Sequence, residues 1–274
     1  QVLGSYPVTR VSIGVQSFNQ HVRTLLGRQG SASQVMHSLD LVRSHSDLDV
    51  SADIITGVEG TDEELTLDDL TLLVDRWSPE HISVYELDVE EGSELEAKGI
   101  LPSEHDHLTP AWNLLQKLGY EHYELSNFSR PGKQGQHNLR YWTLKPYIGI
   151  GCSAVTTAEW EGTTVRITGN RDIREFIQIG TDGASVEIID APTRFRELIM
   201  VSLRTSSGIP MDVITEHYGS KAAEAVRREC RLLEQQGMMK CCSLTTYGML
   251  VMNRVTLRFF ELADELQQKQ LLKY

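Results

Sequence analysis

The chain has 274 residues, 40% of them hydrophobic and 23% charged, enough apolar mass for a sizeable core in one or two domains and no sign of a fibrous or unfolded chain. A formal net charge of −12 argues against a phosphate-backbone partner, because affinity for nucleic acid rests on neutralising phosphates with Lys and Arg. No apolar run reaches the ~18 residues of a membrane span, and Gln1-Val-Leu-Gly-Ser5 lacks the basic and apolar segments of a signal peptide, so a cytoplasmic protein without a membrane span is expected.

Val11-Ser-Ile-Gly-Val15 is a short β-branched run closed by Gln16, the pattern of a buried strand with a polar residue at its C-terminal end. Ser31 to Val42 places Val35, Met36, Leu39 and Val42 on one helical face, and Val50 to Ile55 resumes a strand containing Asp53. Thr61-x-x-Glu64 has capping-box spacing and opens a helix whose Leu65, Leu70 and Leu73 face the sheet. Ile82 and Val84 alternate with Ser83 and Tyr85 in a third strand, and Leu108, Trp112, Leu115 and Leu118 mark a helix that stops at Gly119. Residues 1–118 are therefore expected to form three β/α units, half of an α/β barrel with an open strand edge.

The stretch from Gly119 through His137-Asn-Leu-Arg-Tyr-Trp142 to Ala154 packs aromatic, amide, imidazole and guanidinium groups between turn signals, which reads as a site-bearing loop. His137 offers a neutral nitrogen ligand, Asn138 an amide, and Tyr141 and Trp142 flat side chains, a combination suited to haem. Arg166 to Asn170 and a helix at Asp172 read as a connector that completes a middle segment, 119–190. Beyond it, helices are expected at 193–203 after Pro192, at 211–218 stopped by Gly219, at 220–236 stopped by Gly237, and at 247–262, with a strand pair at 238–244. That order predicts a small winged-helix-like α+β domain over 191–274, its 220–236 helix carrying a solvated, self-paired mixture of charges.

Gln16, Arg28 and Asp53 lie at strand ends or just beyond, where a parallel sheet collects ligand groups, although capping or solvated roles fit them better on pattern alone. Cys152, Cys230, Cys241 and Cys242 are spaced for neither a disulfide framework nor a zinc or cluster site and read as buried thiols. Gly149-x-Gly151-x-x-Ala154 matches a dinucleotide fingerprint only in its glycine spacing, and His105-x-His107 reads as solvated, with no metal role.

Arg10-Val-Ser-Ile-Gly-Val-Gln-Ser-Phe18, Asp53-Ile-Ile-x-Gly57, Pro79-Glu-His-Ile-Ser-Val-Tyr-Glu-Leu87, the Tyr120 to Trp142 stretch and Leu203-Arg-Thr205 follow one another in a register that resembles the oxygen-independent coproporphyrinogen III oxidase-like group of radical S-adenosylmethionine (SAM) proteins, most closely its haem chaperones, from about Val8 to about Leu262. The resemblance implies a 4Fe-4S cluster on a Cys-x-x-x-Cys-x-x-Cys loop, SAM in a partial β/α barrel, and haem held through His-Asn-x-x-Tyr-Trp. It makes Gln16, Arg28 and Asp53 the SAM contacts, and His137, Asn138, Tyr141 and Trp142 the haem contacts, with His137 on the iron. No cluster motif is present, and the first strand corresponds to the family's fourth, so at ~30 residues per strand–helix unit about a hundred residues of the family's N-terminal part are expected to be missing. The chain also departs from the family at Val58-Glu-Gly-Thr61 (usually Leu-Pro-Gly-Gln), at Gly135-Gln136 (usually Cys-Arg) and at Val155 (usually a second histidine). The function implied is a truncated haem chaperone-like protein, with a haem-acceptor protein or a complementary N-terminal fragment as its partner; a fragment, a truncated gene product and one half of a split protein all fit the shortened start. A coproporphyrinogen III oxidase-type oxidoreductase of porphyrin biosynthesis and an inactive remnant stay open beside it, and no catalytic residue is assigned.

Overall fold

The computed structural model describes residues 6–44 and 48–273, so Gln1–Ser5, read above for targeting signals, lies outside the described residues. The chain divides into two compact units, Gln1–Gly135 and Gln136–Tyr274, a division that falls inside the expected middle segment.

The first unit runs β1 (Arg10–Gln16), α1 (Gln20–Leu25), α2 (Ala32–Arg43), β2 (Asp49–Thr56), α3 (Glu63–Trp77), β3 (His81–Glu86), α4 (Glu94–Ala97), α5 (Leu108–Lys117), β4 (Glu121–Glu124) and β5 (Asn127–Ser129). Its sheet is open, in the order β1-β2-β3-β5-β4, with β1, β2 and β3 parallel and β5 antiparallel to both neighbours. The three parallel strands carry the fully buried Val15, Ile54 and Ile82, and Leu39, Leu70, Trp112 and Leu115 of the helices are likewise buried. Trp77, at the end of α3, is buried as well. α3 is capped by Asp62, whose carboxylate accepts the Leu65 N–H at 3.0 Å, and not by Thr61, whose hydroxyl donates to the Val58 carbonyl at 2.7 Å. A carboxylate at a helix N-terminus also meets the positive end of the helix dipole, which favours Asp62 in that place.

The stretch after Gly119 is not a loop. β4 and β5 form a hairpin added to the sheet edge, and Gln136–Trp142 is a helix, α6. Tyr123 and Phe128 supply the buried apolar surface, and the buried Asn127 donates its amide N–H to the buried Glu124 carboxylate, so polar residues that suggested a loop are held inside the fold. A second buried chain ties this hairpin to the parallel strands. Ser51 Oγ lies 2.9 Å from His81 Nδ1, His81 Nε2 lies 2.7 Å from the Tyr123 hydroxyl, and that hydroxyl accepts the Gly135 N–H at 3.1 Å. Burial, helped by the charge of Arg10, lowers the His81 pKa to about 4, and burial raises that of Tyr123 to about 12.

The second unit continues with β6 (Val155–Trp160), β7 (Thr163–Thr168), α7 (Ile173–Ile179), β8 (Ser185–Ile189), α8 (Ala191–Ser202), α9 (Met211–Gln235), β9 (Met239–Lys240), β10 (Ser243–Leu244), α10 (Thr246–Leu250) and α11 (Met252–Gln268). The expected connector is in fact an antiparallel sheet, β6-β7-β8. Glu161 and Gly162, with φ of 49° and 79°, join β6 to β7 in a two-residue turn with both central residues left-handed, the geometry that matches strand twist. The pairing register puts Thr157, Thr164, Arg166 and Ile189 on one face and Ala158, Trp160, Val165, Ile167, Val186 and Ile188 on the other. Arg166 pairs with Glu197 of α8 at 2.7 Å, so the polar face is the one turned inward, while Trp160 and Ile188 are more than two-thirds exposed.

α9 holds the break expected at Gly219, whose φ of 82° and ψ of 169° interrupt the helix, and β9 and β10 form the expected strand pair. The expected 247–262 helix is two, α10 and α11, meeting at Val251. Phe195, Ile199, Val226, Leu233, Val255 and Phe259 form the core of this part. Glu229 of α9 pairs with Arg258 of α11 at 2.8 Å, so its charge is spent on a neighbouring helix and not along its own.

Candidate functional site

Parallel strands end together, so side chains distant in sequence meet at their C-terminal edge. Gln16 of β1, Asp53 of β2, and Tyr85 and Glu86 of β3 line one cleft there, joined by Arg28 from beyond α1 and Asp88 from beyond β3. The cleft has a volume of about 440 Å³, with Leu26, Ile55, Leu87 and Leu95 as its apolar walls. The structure thus brings together Gln16, Arg28 and Asp53, three residues 37 positions apart from end to end.

Gln16 has a φ of 65°, in the left-handed region that side chains other than glycine rarely adopt, and the β1–β2 register shifts between Gly14 and Gln16. Its amide nitrogen lies 2.8 Å from where a Cβ on Gly14 would stand, so only glycine at 14 leaves the amide its place. The residue is 8% exposed and lines the cleft. Asp53 accepts the Ser12 hydroxyl at 3.1 Å, while Arg28 and Asp88 stand exposed at the rim. Burial, together with the charge of Asp106, raises the pKa of Glu86, and burial also raises that of Tyr85.

Two residues that pattern reading missed hold this floor in place. Arg23 is 3% exposed; its guanidinium donates to the carbonyls of Gly30, at 2.9 Å, of Ser17, at 3.2 Å, and of Val15. Asp69 of α3 accepts the Ser17 hydroxyl and, at 3.1 Å, the Phe18 N–H, and burial pushes its carboxyl up despite these bonds. Together they fix the turn that follows Gln16. In sequence each is a single charge on an amphipathic helix, indistinguishable from a solvated one.

The His-Asn-x-x-Tyr-Trp motif lies along α6, and 3.6 residues per turn separate its letters. His137 and Tyr141, four apart, share one face, with ring centroids 5.0 Å apart and edge-on; Tyr141 meets Tyr147 at 4.6 Å. Asn138 and Trp142 occupy the adjacent face, and the guanidinium of Arg204 sits 5.3 Å from the Trp142 ring centre. Tyr141 borders a cavity of about 170 Å³ with Lys145, Tyr147, Arg166 and Arg194, which His137, Asn138 and Trp142 do not line. The His137 imidazole is exposed and open to a metal, and the buried Trp142 indole N–H has no partner among the described residues. These features suit a flat ligand laid against the helix, its metal reached by His137.

Of the cysteines, only Cys230 is buried; Cys152 and Cys242 are partly and Cys241 fully exposed, which corrects the expectation of four buried thiols. No group of three or more His, Cys, Asp or Glu side chains among the described residues could hold a metal ion, so the residues present do not fit an iron–sulfur cluster. His107 is buried, its Nε2 2.9 Å from Ser103 Oγ, and not solvated as its acidic neighbourhood suggested. No helix among the described residues is long and apolar enough to cross a membrane.

Comparison with known proteins follows the same register. The family model described as HemN C-terminal domain matches residues 189–249. The chain is 31% identical over 238 residues to the "Heme chaperone HemW" of Escherichia coli, covering 81% of this chain and 63% of that protein. It is 33% identical over 175 residues to the protein of the same name from Buchnera aphidicola subsp. Acyrthosiphon pisum, covering 62% and 46%. Identity is 35% over 159 residues to "Radical S-adenosyl methionine domain-containing protein 1, mitochondrial" of Mus musculus, covering 55% and 36%. The fold matches the solved coproporphyrinogen III oxidase (HemN) from Escherichia coli, a radical SAM enzyme, with a TM-score of 0.73 at 17% identity, over 93% of this chain and 64% of that one. The chain spans less than two thirds of the length of each of these relatives. By these matches and the ordered motifs above, the chain is similar to the radical-SAM haem chaperone and oxygen-independent coproporphyrinogen III oxidase-like family.

Proposed function

We propose that the chain is a haem chaperone-like protein whose first unit binds SAM in the cleft at the ends of β1, β2 and β3 and whose α6 offers His137 to haem iron. The observation that carries this reading is the convergence of Gln16, Arg28 and Asp53 on one cleft, with Gln16 held there in a left-handed backbone conformation. Their chemistry suits a zwitterionic nucleoside. Asp53 can accept from an ammonium or a ribose hydroxyl, Arg28 can fork onto a carboxylate, and the amide of Gln16 can do either. On α6, neutral imidazole is a normal axial ligand for haem iron, Asn138 can orient a propionate, and Tyr141 and Trp142 give apolar surface to the macrocycle. The likeness to proteins named as haem chaperones favours delivery of haem to an acceptor protein in the cytoplasm, with the C-terminal helices and β9–β10 hairpin forming a winged-helix-like end. Cluster thiolates would have to come from a complementary N-terminal segment, since the described residues supply none.

The test is two titrations on the purified chain. SAM should bind, and Asp53→Asn or Arg28→Ala should weaken it about tenfold; haemin should give a Soret band that His137→Ala shifts, with haemin bound at least about tenfold more weakly. No SAM binding and haemin uptake no greater than that of an unrelated acidic protein would leave an inactive remnant as the reading. A second reading, a coproporphyrinogen III oxidase-type oxidoreductase, draws on the fold match to HemN. It predicts binding of the iron-free porphyrinogen with no dependence on His137.

A further inference from the structure

The cavity of about 170 Å³ beside α6 lies wholly within the second unit and is lined from α6, β6, β7 and α8. Its polar lining is cationic and hydroxylic: Arg166, Arg194 and the exposed Lys145 stand with Tyr141, Tyr147 and Thr157. Thr157 is 4% exposed, and its hydroxyl has no hydrogen-bond partner among the described residues. The backbone of the same residue is satisfied, since its N–H donates to the Tyr147 carbonyl and its carbonyl accepts the Tyr147 N–H, both at 3.0 Å. A buried hydroxyl left alone is costly, so this side chain is a donor available to whatever enters the cavity.

Glu197 is the one carboxylate in this lining, and its Oε1 accepts from Arg166 at 2.7 Å. Arg194 donates to the Leu144 carbonyl at 3.0 Å, while its approaches to Glu159 and Glu197, at 3.5 and 3.6 Å, are long for charge-assisted bonds. That leaves N–H groups of Arg194, the Lys145 ammonium and the three hydroxyls to donate together, an array that suits an incoming carboxylate. At about 170 Å³ the cavity falls below the ~300 Å³ of pockets that enclose a whole small molecule, so it takes an arm of a ligand and not its body. Tyr141, on its border, is one turn of α6 beyond His137, about 6 Å along the helix, and shares its face. We propose that the cavity is a carboxylate subsite that receives one propionate arm of a tetrapyrrole whose metal is reached by His137, and that Thr157, Lys145 and Arg194 hold that arm. The inference rests on the haem reading above and adds to it the part of the ligand that the second unit recognises.

Titration of the chain, in one detergent-containing buffer, with haemin and with haemin dimethyl ester tests this, because the ester keeps the iron and the macrocycle but replaces both carboxylates by neutral groups. Haemin should bind about tenfold or more tightly than the ester, since charge-assisted bonds to a partly buried anion change affinity by about that factor. Lys145→Ala and Thr157→Val should each narrow the gap several-fold and leave ester affinity unchanged. The melting temperature of Thr157→Val should not fall, since the substitution keeps the shape and removes an unsatisfied hydroxyl, and this tells loss of the subsite apart from a folding defect. Equal affinity for haemin and its ester, each still dependent on His137, would overturn the inference and leave the haem reading standing. So would variants that weaken both ligands alike. Succinate represents the other source of a carboxylate: succinate binding that Thr157→Val abolishes, with no gap between haemin and its ester, would assign the cavity to a free acid and overturn the propionate subsite. Failure of both haemin and its ester to bind would overturn the haem reading and this inference with it.

Discussion

The cleft at the ends of β1, β2 and β3 and the motif on α6 each gather residues with ligand-binding chemistry, but they do so in opposite ways. In the cleft, residues scattered through the sequence meet because parallel strands deliver their ends to one edge, over a floor locked by Arg23 and Asp69. On α6, residues adjacent in sequence are driven apart, since each step along a helix turns the side chain by about 100°. His137 with Tyr141 and Asn138 with Trp142 thus form two pairs on neighbouring faces. A compact sequence motif on a helix is therefore a less complete site than a dispersed one on a sheet, and it depends on its ligand to finish it.

The largest effect expected on that contrast is on the floor. Asp69→Ala should strip two buried donors, Ser17 Oγ and the Phe18 N–H, and lower stability by about 4 kcal/mol, roughly 2 for each donor left unsatisfied. Urea denaturation measures it, and a loss under 1 kcal/mol would mean the floor is not locked by this carboxylate.

Next comes His81, which joins the hairpin to the parallel strands. Its folded pKa of about 4 lies below the unfolded value of 6.5, so between those limits the unfolded chain binds more protons, and the contribution present above 6.5 is lost as pH falls towards 4. A shift of that size corresponds to about 3 kcal/mol. Denaturation of the parent and His81→Gln across this range should show the extra acid sensitivity only in the parent; parallel curves would refute it.

On α6 the expected effects are smaller and depend on the ligand. His137→Ala should weaken haemin binding tenfold or more and shift the Soret band, whereas Trp142→Ala should cost only several-fold with the band in place. The reverse ranking would put the iron elsewhere. Smallest is Gly14→Ala, which pushes on the Gln16 amide from 2.8 Å. SAM affinity should fall several-fold with the melting temperature almost unchanged, and unaltered affinity would show that Gln16 does not need its observed position.

The parallel part of the first unit was legible because Val11 to Val15, Val50 to Ile55 and Ile82 to Val84 are apolar runs separated by amphipathic helices, and the Gly219 break was legible because glycine alone tolerates that backbone. The β6–β8 sheet was not, since its buried face carries Thr157, Thr164 and Arg166 while its apolar residues face outward. A signal was present all the same: Glu161-Gly162 between two alternating, Thr- and Val-containing runs is a hairpin pattern. Gln16, Arg28 and Asp53 were found through their family positions and their strand ends. Arg23 and Asp69 were not, because burial of a single charge leaves no trace in periodicity. The helical placement of His137 to Trp142 was hidden by flanking residues that suit a loop.

The outward-facing Trp160 gives the protein a built-in optical partition. Of its four tryptophans, Trp77 and Trp112 belong to the first unit and are 4% and 2% exposed, whereas Trp142 and Trp160 belong to the second, with Trp160 71% exposed. A collisional quencher such as acrylamide will reach Trp160 in the native chain and leave the first unit's indoles bright. The emission that survives quenching then comes from the buried Trp77 and Trp112 of the first unit and the partly buried Trp142 of α6, and Trp142→Phe leaves a signal whose change during denaturation times the opening of the first unit by itself.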